Sequence, residues 1–419
     1  MQDLMIFLSK SLLGWLVIQV VLTLVFVWYL RSHQKSLLPD EQLPKTAVII
    51  CLRGADPYLP NCLRSLLKQN YPQYDLKVIL DSQEDPAGKI TTEAIAELGA
   101  TNVQITHLRI VRHNCSLKCS SLVQAVSDLD DSYKVVAFVD ADTIVHPNWL
   151  RELVQPLADA KVGATTGNRW YSPTGNYWGS LVRYAGNVST VVQMFLFQIP
   201  WGGTLAVKTE VFHQTELLEK WGQALNDDLM MHNLLKKHKL QVKFVPSLLM
   251  VNREESDLLD LLDNLKRLLL CSRLYHPRWL ALVSDAISSI LFPTLVIVLI
   301  LQSLLEGNWY AASLLFSCYG IYILGLLLLM LVLEQGVQRV MHFQGQAIAK
   351  WTPAAALKML IVIPLTQWVY GIAMLSSLWM STVKWRGLTY RVQGPWNIRL
   401  VEYRPYHWLD QPIDPKASL

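Results

Sequence analysis

Asp140 and Asp142, one residue apart, close the apolar run Val135 to Val139. A buried strand of that composition holds its C-terminal end rigidly. Carboxylates projecting from such an end supply hard oxygen ligands for Mg²⁺ or Mn²⁺, and a divalent ion there neutralises the phosphates of a departing nucleotide. The chemistry this pair suggests is transfer from a nucleotide-diphosphate sugar. A lone Asp-x-Asp is also what any core strand leaves behind at its turn, so the weight rests on the elements around it.

Those elements are set in a membrane-type chain. Over 419 residues the hydrophobic fraction is 52% and the mean hydropathy +0.26, too high for an ordinary soluble enzyme. Leu12 to Leu30 is apolar except for Gln19 and Thr23 and ends at Trp28, Tyr29 and Arg31, about the ~20 residues a bilayer core requires. It is longer than a signal-peptide core and lacks a small-residue cleavage site, and Arg31, His33 and Lys35 favour a cytoplasmic C-terminal flank. Three further runs, Val283 to Leu305, Ala311 to Leu333 and Ala355 to Trp379, have spanning length. The expected organisation is an anchor at 1–35, a catalytic block at 42–255, amphipathic helices at 256–282, membrane helices at 283–382 and a basic tail at 383–419. A net charge of +4 points to no nucleic-acid partner. The six cysteines are scattered, mostly in the block placed in the cytoplasm, where thiols stay reduced; His113, Cys115 and Cys119 lack the second ligand pair a zinc site needs.

Within the block, strands and helices alternate. Strands are expected at Thr46 to Cys51, Leu76 to Leu80, Val103 to Val111 and before Asp140, with helices at Leu59 to Gln69, Thr91 to Leu98 and Leu117 to Ser127. Alternation of this kind implies an α/β fold with a mostly parallel sheet covered on both faces. Ligands collect outside the carboxyl ends of such strands, where Asp81 and Asp140 both stand.

The ordered motifs resemble a known family. The segments Ile50 to Pro57, Leu63 to Pro72 and Val78 to Ala87 are similar to the opening of inverting family-2 glycosyltransferases of the Rossmann-like GT-A fold. Asp81 to Ala87 resembles the ceramide glucosyltransferase branch, as does Asn114 with Lys118 and Leu122. The likeness continues through Trp201-Gly202-Gly203-Thr204, Asn226-Asp227-Asp228-Leu229, the amphipathic stretch after Asp257, and Trp385-Arg386-Gly387 with Tyr390 and Arg391.

The resemblance implies roles. Asp81 would contact the uracil or ribose of a UDP-sugar, and Asp85 would share that task or merely seed the turn before Pro86. Asp140 and Asp142 would bracket the diphosphate and its Mn²⁺ or Mg²⁺; relatives often keep only the first carboxylate. Lys118 would place a positive charge near the phosphates, or else be an exposed helix lysine. Asp228 stands where the family carries its general base, with Asp227 in place of the usual glutamate; two acids here would also suit a helix N-terminus. Gly202, Gly203 and Thr204 would lie on the acceptor side. The expected Gln/Arg-x-x-Arg-Trp motif is degraded to Asn264-Leu265-Lys266-Arg267-Leu268. Arg267 would contact the diphosphate, and Arg273 and Arg278 would anchor the interface. Without the tryptophan that helps processive synthases bind a growing chain, a single transfer is expected. Leu258 to Leu270 reads either as an interfacial helix with Lys266 and Arg267 toward water or as a helix packed on the catalytic core.

The expected protein is a multi-pass membrane hexosyltransferase with a cytoplasmic catalytic domain, a UDP-sugar donor and a ceramide- or glycerolipid-like acceptor in the bilayer. The alternatives are a polysaccharide or polyprenyl-phosphate transferase, and a catalytically silent membrane binding module. Four crossings would put both termini on one face, yet Lys384, Arg386, Arg391, Arg399 and Arg404 would draw the tail to the cytoplasm. Either one run is re-entrant or Tyr184 to Pro200 dips into the membrane.

Overall fold

A computed structural model describes residues 2–32, 37–173, 175, 177–345 and 352–406. His33, Lys35 and the last part of the basic tail lie outside the described residues. The strands are β1 (Thr46–Leu52), β2 (Tyr74–Leu80), β3 (Val103–His107), β4 (Val135–Val139), β5 (Val162–Tyr171), β6 (Thr204–Lys208), β7 (Gln241–Asn252), β8 (Thr382–Trp385), β9 (Leu388–Gly394) and β10 (Asn397–Glu402). The helices are α1 (Gln2–Ser32), α2 (Leu59–Leu66), α3 (Ala87–Leu98), α4 (Leu117–Ser127), α5 (Trp149–Val154), α6 (Trp178–Phe197), α7 (Thr209–Gln214), α8 (Leu217–Trp221), α9 (Met231–Lys237), α10 (Leu258–Tyr275), α11 (Trp279–Leu305), α12 (Trp309–Phe343) and α13 (Pro353–Trp379).

The first seven strands form one sheet in the order β3-β2-β1-β4-β6-β5-β7. Every pairing is parallel except the two made by β6, which runs against β4 and β5. The expected mostly parallel sheet is therefore present. Because β1, β2 and β4 run the same way, the residues that follow them, Arg53, Asp81 and Asp140, share one carboxyl edge. Both faces are filled. Leu63, Leu66 and Trp149 pack on one side of the central strands, and Leu122, Phe212 and Trp221 on the other. The central run Ala137 to Val139 is buried on both faces, which explains its unbroken apolar composition.

Four helices, α1 and α11 to α13, are long and apolar enough to cross a membrane. Their N- and C-terminal placement agrees with expectation. Helix α6 packs against α13 so closely that a Cβ on Gly186 would meet the Tyr370 ring at 2.1 Å; a side chain there would separate the catalytic unit from the membrane helices. Helix α10 lies between α6 and α13 with Leu261, Leu265 and Leu270 buried, while Leu259 is 75% exposed. It is thus packed on protein along one face and leaves apolar surface on the other.

The basic tail is not a loose extension. Strands β8 to β10 form a three-stranded antiparallel sheet whose inner residues Leu388, Tyr390, Val392, Ile398 and Leu400 cluster with Leu117 and Leu270. The backbone N–H of Leu117 donates to the Tyr390 hydroxyl at 3.0 Å, and Leu400 N–H to the His113 carbonyl at 2.8 Å. The basic side chains Arg391 and Arg399 alternate outward.

Candidate active site

The site grows from the carboxyl edge of the sheet. Asp140 follows β4, and its Oδ1 accepts a hydrogen bond from Lys118 Nζ at 2.8 Å. Lys118 stands in the first turn of α4, which is fixed by Ser116 Oγ accepting from Cys119 N–H at 3.2 Å. The same ammonium lies 3.1 Å from Asp227 Oδ2. Burial opposes its charge, but the carboxylates of Asp140 and Asp227 more than offset that and hold the lysine well above its usual range. Lys118 is therefore a fixed cation between two acids and not a solvated helix lysine.

Asp142 is reached by Arg169 of β5, whose Nη2 lies 3.1 Å from Asp142 Oδ2 and 3.8 Å from Asp140 Oδ2. Asn252, the last residue of β7, also donates to Asp142, at 3.3 Å. Burial raises Asp142 despite Arg169. Burial pushes the same way on Asp140, but there Lys118 and Arg169 prevail and keep the carboxyl below the ordinary range. The two carboxylates converge on one cation position, now approached by Arg169. That convergence fits a divalent ion. Among the described residues no group of three or more His, Cys, Asp or Glu could hold a metal by itself, so diphosphate oxygens and water would have to complete the shell.

Asp227 and Asp228 are not the cap of α9, which has no side-chain cap; Asn226 Oδ1 instead takes the Leu229 N–H at 2.9 Å. Both acids are left to the cleft. Asp228 Oδ2 accepts from the Gly202 backbone N–H at 2.7 Å. Burial, with the charge of Asp227 added, pushes Asp228 up to about 7, where a carboxylate is a competent base near neutrality. A Cβ on Gly202 would lie 2.6 Å from Asp227 Oδ2 and 3.3 Å from Asp228 Oδ2, so glycine is what allows the turn to touch both acids. Gly203 is pressed against the Trp201 ring. Thr204 is fully buried in β6 with its hydroxyl on the Gly203 carbonyl.

At the neighbouring edge, Asp81 forms a buried ion pair with Arg53 and accepts from the Tyr403 hydroxyl at 3.0 Å. Asp85 spends its oxygens on the Gly54 and Ala87 N–H groups at 2.9 to 3.1 Å, the turn-building role. The C-terminal sheet completes this corner. Its β8–β9 turn carries Arg386 and Gly387 at φ 43° and 74°, a two-residue hairpin geometry that needs glycine, and presents the Arg386 carbonyl to Arg53 Nη2 at 2.8 Å.

Arg267 is turned into the protein, not toward water. Its Nη2 donates to Asn264 Oδ1 at 2.8 Å, its guanidinium carbon sits 5.9 Å from the Trp385 ring centre, and burial draws its pKa down. It makes no ion pair among the described residues, so it is a half-buried cation that no carboxylate answers at contact distance. Arg273 binds the Ser377 and Met380 carbonyls at 2.6 and 2.7 Å and so caps α13; only Arg278 is exposed. Arg169 and Tyr403 had no place in the sequence reading, which met Arg53 and Trp385 only inside longer motifs and gave neither a role of its own. Arg169 had a signal, as the one charged residue in the buried strand β5. The others reach the site through long-range packing.

The sequence matches glycosyl transferase family 21 over residues 12–397. The chain belongs to that family. The seven-stranded, mostly parallel sheet is the α/β architecture expected of the chain. A ceramide glucosyltransferase of Pyricularia oryzae is 39% identical over 67 residues, which are 16% of this chain and 14% of that protein; the match thus spans about a seventh of the relative's length. Among solved structures, the mannosyltransferase PcManGT of Pyrobaculum calidifontis, in complex with GDP-mannose and Mn²⁺, is 15% identical with a TM-score of 0.48, covering 89% of this chain and 99% of that one. Glucosyl-3-phosphoglycerate synthase of Mycobacterium tuberculosis is 16% identical with a TM-score of 0.36, covering 57% and 82%.

Proposed function

We propose that this family 21 protein moves a single hexose, glucose by its resemblance to ceramide glucosyltransferases, from a UDP-sugar to the hydroxyl of a membrane lipid, with inversion. Asp228 takes the hydroxyl proton as the oxygen forms its bond to the anomeric carbon. The bond to the diphosphate breaks on the opposite side, and UDP leaves. Lys118 and Arg267 hold the leaving diphosphate by charge, Arg267 being the cation without a carboxylate. Asp140 and Asp142 would hold Mg²⁺ or Mn²⁺, which when bound supplies further neutralisation of that charge. Asp81, with Arg53 and Tyr403, would border the nucleoside.

One observation carries the lipid acceptor. Asp228 lines a cavity of about 440 Å³ whose other walls come from α1, α6 and α10 to α13, including Trp15, Met330, Ile363 and Met374. Base and membrane helices thus share one space, of a size that suits a small ligand. A larger hollow of about 860 Å³, bordered by Tyr29, His146 and Ser247, contains none of the site's carboxylates. Leu268 lines the same 440 Å³ cavity and offers no aromatic platform to a growing glycan. Purified protein given UDP-glucose, UDP-galactose and a lipid extract should yield an organic-soluble product carrying one hexose, read by mass. A ladder of hexoses or a water-soluble polymer would return the polysaccharide synthase; no turnover with retained UDP binding would indicate a silent module.

The termini follow from the same contacts. The Tyr29 hydroxyl donates to the Phe244 carbonyl at 3.0 Å, so the C-terminal end of α1 meets the catalytic unit. Gln344 just beyond α12 touches the Ser247 carbonyl. Both ends of α13 do likewise, through Lys358 to the Gly175 carbonyl at 3.1 Å and through the carbonyls held by Arg273. We read α1, α11 and α12 as crossings and α13 as a helix that enters and leaves on the catalytic side. The N-terminal end of α1 then lies opposite the C-terminal sheet. Single cysteines at the two ends should therefore label from opposite faces of sealed vesicles; labelling from one face would restore four crossings.

A further inference from the structure

Asp285 lies on α11 six residues beyond Trp279, roughly 9 Å along the helix at 1.5 Å per residue. With Leu282, Ala286 and Ser289 it forms the stripe that α11 turns toward the cavity holding Asp228. Its Oδ2 accepts a long hydrogen bond from Gln193 Nε2, at 3.4 Å, and the Ser289 hydroxyl one turn along α11 is its other polar neighbour. Its Oδ1 is fully buried and has no hydrogen-bond partner. No lysine or arginine is within ion-pair distance of it among the described residues. Across the cavity Gln367 and Tyr322 bond to each other at 2.8 Å.

A carboxylate inside a membrane helix is costly, and one with an unanswered buried oxygen is costlier. Apolar packing would be served better by leucine. The position is explained if a ligand brings what the oxygen lacks, and the cavity it faces is the one that receives the acceptor. We infer that Asp285 is an acceptor-selecting residue, whose Oδ1 takes a hydrogen bond from an N–H or second O–H beside the hydroxyl that Asp228 deprotonates. This rests on the lipid-transfer reading above and adds a chemical criterion to it. An N-acyl amino-alcohol lipid has such donors. A diacylglycerol has only the reacting hydroxyl and ester oxygens, which would face Oδ1 lone pair to lone pair.

The test uses the full chain in phosphatidylcholine nanodiscs, with a ceramide and a diacylglycerol as separate acceptors and UDP-sugar as donor. Wild type should prefer the ceramide. Asp285→Asn keeps the shape but removes the charge and exchanges one of the two accepting oxygens for a donor, so KM for ceramide should rise about 10- to 100-fold, the range for a hydrogen bond to a charged group. The donor KM and kcat should stay within a few-fold, and diacylglycerol transfer should hold or improve. Gln193→Met, which releases Asp285 Oδ2, should shift the ratio the same way by less, and guards against a folding defect in the first variant. An unchanged ceramide-to-diacylglycerol ratio in both variants, with both lipids still glycosylated, would overturn the assignment to Asp285 alone. If wild type hydrolyses UDP-sugar yet glycosylates neither lipid, the lipid-transfer reading falls and the assignment with it.

Discussion

Asp228→Asn should lower hexose transfer by ~10²-fold or more, the usual contribution of a positioned general base, while UDP-sugar binding changes little. The amide keeps the shape that accepts the Gly202 N–H at 2.7 Å, so the turn and its neighbours stay in place; only basicity is lost. The pH profile supplies an independent mark. Because burial and Asp227 push Asp228 up to about 7, kcat/KM in wild type should fall as pH drops below about 7 and the base takes a proton. Asp228→Asn should lose that limb. Stability moves oppositely: a carboxyl raised above its unfolded value of about 3.9 binds its proton more tightly when folded. Its stabilisation is complete below about pH 4 and is lost as pH rises through about 7. Wild-type melting temperature should thus decline across that window more than the variant's. A wild-type rate in Asp228→Asn would move the base to Asp227, whose side chain is 3.1 Å from Lys118.

The parts of this fold legible in the sequence are those fixed by local rules. The expected helix Leu117 to Ser127 has the observed limits, because Ser116 caps its start. The strand before Asp140 was legible because burial on both faces leaves an unbroken apolar run. Strand β3 ends at His107, short of the expected Val111: at Leu108 the chain passes beyond β2, its last ladder partner being Leu80. The tail was misread for a different reason. Leu388, Tyr390 and Val392 alternate with Thr389, Arg391 and Gln393 as a half-buried strand should, but Lys384, Arg391 and Arg399 face outward across the three strands, and charge was given more weight than period.

The site divides in the same way. Asp140, Asp142, Asp227 and Asp228 follow strands or stand in turns, so their types and order were enough to single them out as candidates, and the structure brings them to one cleft. What the order of residues did not contain is which cations meet them. Arg53 reaches Arg386 across 333 positions, and the aromatic ring beside Arg267 comes not from the next residue but from Trp385 on β8. The degraded motif on α10 thus has its aromatic neighbour restored by another element, which a linear reading has no means to see.

Chelation should stop transfer altogether, and Mn²⁺ or Mg²⁺ should restore it. The argument is charge. When the bond to the sugar breaks, UDP gains negative charge at its diphosphate, and the nearby protein cations are partly committed: Lys118 to Asp140 and Asp227, Arg169 to Asp140 and Asp142. Arg267, held by Asn264, has no carboxylate partner among the described residues. A divalent ion joining Asp140 and Asp142 to the diphosphate would supply the charge that these committed cations do not. Asp142→Asn should weaken metal binding, raising the Mn²⁺ concentration for half-maximal rate, and Asp140→Asn should do so more strongly, since Asp140 also positions Lys118. Activity that persists in exhaustive chelator would instead assign the compensating charge to Arg169. Arg169→Met would then abolish transfer, whereas in a metal-dependent enzyme it should free both carboxylates and lower the metal concentration required.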